Sequence, residues 1–182
     1  MFLEAIPFGR TPRRSWECDG LPCMTLVNHV GHLNGYVRLP ETHPDLLKAH
    51  HAELTGKRST FAFSDGHTMT SSPRGYDHID VQVHGDWTYG PDVLGWIGFD
   101  TGHSFDYWPE ESRREMIEPR YRDQLEYLLE FEHRMRAITG DRYAAYETVW
   151  TEQMVEQELE RVARELAARA RQVIETGGKP RT

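Results

Sequence analysis

The chain has 182 residues, a formal net charge of −8 and a mean hydropathy of −0.69. That length suits one domain with its own hydrophobic core, so folding requires neither metal nor disulfides. The acidic balance disfavours DNA, RNA and anionic membranes as partners, because phosphate contacts need clustered Lys and Arg.

Two cysteines, Cys18 and Cys23, do not make a secreted disulfide scaffold. No apolar run approaches the roughly 18–20 residues of a membrane span. The early arginines follow the apolar residues, the reverse of a signal peptide. The expectation is a soluble cytoplasmic protein.

Residues 1–23 read as an irregular arm, because Pro7, Pro12 and Pro22 with Gly9 and Gly20 interrupt long elements. Phe2, Leu3, Ile6, Phe8 and Trp16 anchor it. Residues 24–30 read as a strand, His32-Leu33-Asn34-Gly35 as a turn using positive φ at Asn34-Gly35, and residues 36–39 as the return strand, stopped by Pro40. A short helix follows over 45–54, ended by Gly56, then a short strand over 60–63. The Ser-, Gly- and Asp-rich stretch 64–76 reads as an exposed loop and a candidate lid.

Residues 79–83 alternate apolar and polar, the pattern of a strand with one buried face. Residues 93–99 are more continuously apolar and suit a central strand, whose glycines mark a bulge or a close backbone approach. Residues 110–138 carry a helical stripe at Tyr121, Leu125, Leu128 and Met135, divided by Pro119. Thr151 is an N-cap. Val155, Leu159, Val162, Leu166 and Val173 then form a helical face widened by Ala163, Ala167 and Ala170 and ended by Gly177-Gly178. That face packs on the sheet or the preceding helix, or joins two copies, so the chain is a monomer or a homodimer.

The fold class is α+β, with a small, mainly antiparallel sheet built from residues 24–39, 60–63, 79–84 and 93–99 and two C-terminal helices. Residues 1–182 form a single domain. The arm, the strands and the site occupy 1–109, and the helical part occupies 110–182.

The chemistry concentrates between residues 77 and 110, where histidines, aspartates, tryptophans and glycines crowd together. Two strand ends there carry His84-Gly85-Asp86 and Asp100-Thr101-Gly102-His103, followed by Asp106. A histidine titrates near neutrality, and a carboxylate beside it orients the ring and holds its proton. His84 and His103 are therefore the candidate acid and base, with Asp86, Asp100 and Asp106 as their carboxylates. Tyr36, His43, Thr88 and Tyr89 are candidate substrate contacts. Trp87 and Trp108, with Trp96 and Tyr107, are candidate flat walls for a purine or sugar ring. The plain structural alternative is that His84 and Asp100 cap strand ends.

No cofactor is required by this chemistry. A divalent metal at His84, Asp100 and His103 is the other use of the same groups, although no spacing matches a recognised ligand motif. Upstream, Cys18, Cys23, His29 and His32 offer a second set of zinc-ligand types, with Cys23 as a buried small residue and Cys18 as a surface thiol on the alternative reading. The pairs His50-His51, Arg13-Arg14 and Arg113-Arg114 read as surface, and Ser64-Asp65-Gly66-His67 as a turn.

Five short motifs occur in order: Trp16 with Gly20-Leu21-Pro22-Cys23; Gly35-Tyr36-Val37-x-Leu39-Pro40-x-x-His43-Pro44; Val83-His84-Gly85-x-x-Thr88-Tyr89; Gly98-Phe99-Asp100-x-x-His103-x-x-Asp106; and Val155-x-x-Glu158-x-x-x-Val162-Ala163. Together they resemble a family of small phage and prophage accessory proteins. The middle motifs of that family look like Val-His-Gly-Gly-Leu-Thr-Tyr and Gly-Phe-Asp-Cys-x-His-x-x-Asp. Here Asp86 replaces the second glycine, and Thr101 replaces the cysteine, which argues against a thiol nucleophile. The resemblance implies action in the cytoplasm of a bacterial host, of the anti-defence kind that cleaves or sequesters nucleotide signals.

Three functions are therefore weighed: a hydrolase of a nucleotide or other phosphate-bearing small molecule, a nucleotide-binding sponge, and an interaction protein working through the last helix.

Overall fold

Leu21–Val27 (β2) is the strand on which the fold is built, because its side chains are buried on both faces of the sheet. The structure, a computed structural model, describes residues 9–55, 59–62, 68–71, 79–103, 106–140 and 148–175. β2 pairs antiparallel with Arg14–Cys18 (β1) on one side and Leu33–Arg38 (β3) on the other. Trp96–Phe99 (β6) adds antiparallel to β3, giving the order β1-β2-β3-β6. Pro44–Thr55 forms α1, and Ser59–Ala62 (β4) pairs with Thr68–Ser71 (β5). Asp106–Tyr107 (β7) pairs parallel with Thr148–Val149 (β8). Glu110–Met116 (α2), a 3-10 turn Pro119–Tyr121, Arg122–Thr139 (α3) and Glu152–Glu175 (α4) complete the described elements. The α+β class stands, with an all-antiparallel main sheet.

Several boundaries differ from the sequence reading. The arm is not irregular throughout, since residues 14–18 form β1. Asp19 (φ 50) and Gly20 (φ 81) both take positive φ, the geometry of a two-residue hairpin turn between β1 and β2. The turn between β2 and β3 lies at residues 28–32, not at Asn34-Gly35. Asn28 Oδ1 accepts the N–H groups of Val30 and His32, each at 3.0 Å, and Gly31 has φ 80. Gly35 lies inside β3, where a Cβ would stand 2.5 Å from Phe99 Cε1, so its lack of a side chain serves packing.

Of the expected strand 60–63, residues 60–62 pair in β4 with β5 and not with the main sheet. Nor do residues 79–84 form a strand: Ile79, Val81 and Val83 are buried and Asp80 and Gln82 exposed, but no ladder is made. The alternation was read correctly as burial and wrongly as pairing. The expected strand over 93–99 shortens to β6, because Gly95 (φ 82) turns the chain where its Cβ would meet Leu39 O at 2.3 Å. β5 interrupts the expected loop 64–76. The anchors Phe2 to Phe8, Gly56, Ser64 to His67 and Gly177-Gly178 lie outside the described residues.

The main core lies between the sheet and α4. Val155, Leu159, Val162 and Leu166 are fully buried, with Ala163 and Ala167 beside them, against Cys23, Leu33, Val37 and Ile97. Each such aliphatic side chain contributes about 1.5–3 kcal/mol by leaving water. Thr151 caps α4, its Oγ1 accepting Met154 N–H at 3.2 Å. The apolar face thus packs on the sheet, the first of the placements expected for it, and Val173 lies exposed beyond it.

On the other face of the sheet, Met24, Leu26, Tyr36 and Trp96 form a smaller cluster with Tyr89 against it. Leu125 and Leu129 hold α3 to Ile117, whereas Met135 of the expected stripe is exposed. Arg113 is buried, not superficial, because its Nε donates to Val30 O (3.0 Å) and its guanidinium meets Glu132 (2.8 Å).

Candidate functional site

Three stretches distant in the chain converge beyond the end of β6. The first is the turn at residues 83–86, where Gly85 (φ 65) and Asp86 (φ 70) reverse the chain and Asp86 N–H donates to Val83 O at 3.2 Å. Position 86 therefore has the left-handed backbone that glycine adopts at no cost and Asp tolerates. Trp87 Nε1 donates to Val81 O (2.7 Å), and the N–H groups of Thr88 and Tyr89 donate to Gly98 O (2.9 and 3.0 Å). These bonds tie the turn to β6.

The second stretch follows β6. Asp100 Oδ1 accepts Gly102 N–H at 3.0 Å. Thr101 is buried. Its hydroxyl donates to Leu33 O (3.0 Å) and accepts Trp108 Nε1–H (2.8 Å). Position 101 thus holds the core together and does not face the site.

The third is the β7–β8 pair. Trp150 N–H donates to Tyr107 O at 2.8 Å, which sets the indole beside Asp106.

Asp106 is the hub. Its side chain is 2% exposed. His84 Nε2 lies 2.8 and 3.0 Å from its two oxygens. Trp150 Nε1 donates to Oδ1 at 2.9 Å, and His103 N–H donates to Oδ2 at 3.1 Å. His103 Nδ1 stands 3.3 Å from Oδ2. Burial pushes the Asp106 carboxyl up, but the hydrogen bonds from Trp150, His84 and the His103 backbone outweigh it, and the group titrates below its ordinary range.

The two imidazoles meet edge to face at 5.8 Å, and Trp150 packs edge-on to His84 at 4.7 Å. Each histidine side chain is about one-third exposed, so the hub is buried while its two working rings meet solvent. Glu158 of α4 accepts His84 N–H at 3.1 Å. Arg161 holds the Glu158 carboxyl below its usual range against its burial, and also grips Gln82 O at 2.6 Å. A side chain at position 85 would put its Cβ 2.2 Å from His103 Cε1.

Among the expected site residues, the structure brings together His84, His103 and Asp106. Asp100 stands at the edge, its Oδ1 3.6 Å from His103 Nδ1. Asp86 is exposed and outside the cluster, and Thr88 is exposed as well. Trp87 and Trp108 are buried in the core and form no free wall. Trp108 stacks on His32 at 6.5 Å. His43 is buried, with Nε2 3.0 Å from Leu166 O and Nδ1 accepting Asp45 N–H, so it braces α1 against α4.

Tyr36 and Tyr89 meet edge to face on the sheet's other face, and the Tyr89 hydroxyl donates to Asp92. Tyr36 also lines an open cleft of about 430 Å³ with Arg10, Asn28, His32 and Asp100. Asp100 thus belongs to both the cleft and the edge of the cluster.

Trp150 and Glu158 were not singled out from their chemistry. Glu158 had two signals: it is an acidic side chain beside Leu159 on an apolar helical face, and it stands in the last of the five motifs. Trp150 had none, since it lies 44 residues from Asp106.

Among the described residues, one group of His, Cys, Asp or Glu can share an ion. It consists of His84, His103 and Asp106, with donor atoms all within 4.8 Å of one another. Asp106, not Asp100, completes the set expected around the two histidines. Cys18, Cys23, His29 and His32 form no such group. The Cys18 thiol instead faces Glu160 O and the buried Cys23 thiol faces Leu21 O.

The chain matches no protein-family model, no curated protein and no solved structure. In the described residues no helix is long and apolar enough to cross a membrane.

Proposed function

We propose that the chain is a hydrolase of a nucleotide or another phosphate-bearing small molecule, working at His84, His103 and Asp106. The observation that carries this is the convergence of two partly exposed imidazoles on one buried, ionised carboxylate. Hydrolysis needs one group to take a proton from the attacking water and another to return a proton to the leaving oxygen. One imidazole takes the water's proton as its oxygen bonds to phosphorus. The bond to the leaving oxygen breaks, and the other imidazole protonates that oxygen. Asp106 stays ionised and holds both rings in place.

The cleft that shares Asp100 with the edge of the cluster has the volume of a small-molecule site, and Arg10 is among the residues that line it. The motif resemblance supports the finer reading, a phage accessory enzyme removing a host-defence signal nucleotide in the bacterial cytoplasm.

The test is incubation with a panel of nucleotides and cyclic dinucleotides, followed by denaturation and chromatography. A new product that disappears in His84→Ala and His103→Ala, with both variants folded, supports the hydrolase. Intact ligand released on denaturation replaces it with a binding protein that sequesters its ligand. Full activity in both variants removes these histidines from the chemistry.

A further inference from the structure

We propose that the same centre is a metal site: His84 Nε2, His103 Nδ1 and an oxygen of Asp106 hold one divalent transition-metal ion. This rests on the reading of these residues as the working centre and recasts their roles: the imidazoles become ligands in place of acid and base, a metal-bound water loses its proton far more readily than free water, and the metal's charge stabilises the leaving oxygen.

The three donor atoms all lie within 4.8 Å of one another, and the contacts of each ring with Asp106 are close to those of a filled site. Ligand atoms about 2.1 Å from a metal and roughly at right angles or tetrahedral stand about 3.0–3.4 Å apart. The histidine nitrogens stand 2.8, 3.0 and 3.3 Å from the Asp106 oxygens. Small ring movements therefore admit the ion, which replaces the protons now lying between rings and carboxylate. Two imidazoles and one carboxylate form the donor set that suits zinc, manganese or ferrous iron.

The surroundings fit as well. Trp150 Nε1–H and His103 N–H each hold one oxygen of Asp106, the kind of support that orients a ligating carboxylate. Glu158 fixes the backbone of His84, and Gly85 leaves the space that the His103 ring fills. Asp100, 3.6 Å from His103 Nδ1, adds negative charge at the rim. Three protein donors with both rings partly exposed leave coordination positions for water or substrate, as catalytic sites do and closed structural sites do not.

The test uses the full chain, stripped with a chelator and then titrated with zinc, manganese or, under anaerobic conditions, ferrous ion. Calorimetry reads affinity and elemental analysis reads stoichiometry. The expected result is one equivalent, weakened about 100-fold or more in His103→Ala and in Asp106→Asn. Trp150→Phe, which removes only the supporting donor, loses about 10–100-fold. His29→Ala and His133→Ala bind as the parent does.

Where a variant does not fold, manganese broadening of imidazole resonances in the parent protein decides instead. His84 and His103 broaden first, ahead of His29 and His133. Absence of a stoichiometric ion, unchanged affinity in folded Asp106→Asn, or broadening led by other histidines overturns the proposal. Turnover by the stripped protein without a bound equivalent removes the metal and leaves the hydrolase. A bound equivalent with no turnover on any phosphate substrate does the reverse.

Discussion

Replacing Gly85 by Ala tests whether the centre depends on the placement of His103. The added Cβ lies 2.2 Å from His103 Cε1 and 2.3 Å from Nδ1, whereas ordinary contact begins near 3.4 Å, so the ring must retreat by roughly 1.2 Å. Its Nδ1 already stands at 3.3 Å from Asp106 Oδ2, near the limit of a hydrogen bond, so a shift of that size changes how the ring meets the carboxylate. Gly85 also has φ 65, where a side chain costs about 1–2 kcal/mol.

A domain of this size has about 5–15 kcal/mol of stability, so Gly85→Ala remains folded while its centre is broken. A misplacement of about 1 Å is enough for a roughly 100-fold loss of turnover. The matched control is Gly20→Ala, which has φ 81 and nothing within 4 Å of its Cβ. It carries the same backbone strain without the clash. Urea unfolding, turnover and imidazole resonances are measured on both variants. The expected outcome is a loss of stability in both, larger in Gly85→Ala because of the clash, and a collapse of turnover in Gly85→Ala alone. Turnover within about threefold of the parent in Gly85→Ala would show that the His103 position does not matter and refute the reading of the centre.

Three other outcomes are expected. Trp150→Phe removes one hydrogen bond to a charged carboxylate and costs about 1.5–3 kcal/mol at neutral pH. Because the Asp106 carboxyl titrates below its ordinary 3.8, the stability it contributes is present above that pH and lost below it. Urea unfolding should therefore show the gap between parent and variant closing as the pH falls below about 4.

His32 is pushed down to about 4, first by burial and then by Arg113, and its Nδ1 has no hydrogen-bond partner among the described residues. The unfolded chain takes up its proton first, so stability is full above pH 6.5 and falls by about 3 kcal/mol toward pH 4. A thermal denaturation series should find that slope reduced in His32→Phe. Arg169→Ala leaves the fully buried Asp45 carboxylate, which now accepts bonds from Arg169 at 2.8 and 3.0 Å, with Lys48 at 3.7 Å as its remaining cation. The expected cost is about 3–5 kcal/mol, and an unchanged urea midpoint would contradict it.

The elements legible from sequence were those whose signal is local. The stripe from Val155 to Leu166 repeats with the helical period, so it predicts both the helix and its buried face, and Thr151 caps it as expected. The alternation Ile79, Val81, Val83 predicts which side chains are buried because side-chain direction in an extended chain is set residue by residue. It carries no information about a partner strand, and among the described residues no strand pairs with it. Two hairpin-type pairs were present, Asp19-Gly20 and Asn34-Gly35. Both allow positive φ, but only Asp19-Gly20 turns the chain, between β1 and β2; Gly35 lies inside β3 against Phe99, and the β2–β3 turn falls at residues 28–32, closed by Asn28 and Gly31.

The candidate site divides the same way. From sequence alone, His84 and His103 with Asp86, Asp100 and Asp106 formed one undivided candidate set, because a His/Asp-rich stretch between strand ends is visible by composition. Tertiary structure decided that Asp106, not Asp86, serves His84 across a separation of 22 residues, and that Trp150 and Glu158 complete the surroundings from the helical part of the chain. It also decided that Trp87, Trp108 and Thr101 face the core. The reason is physical. Periodicity records how each residue points relative to its neighbours, whereas which carboxylate meets which imidazole depends on how β7, β8 and α4 close over β6, and no fixed spacing in the chain encodes that closure.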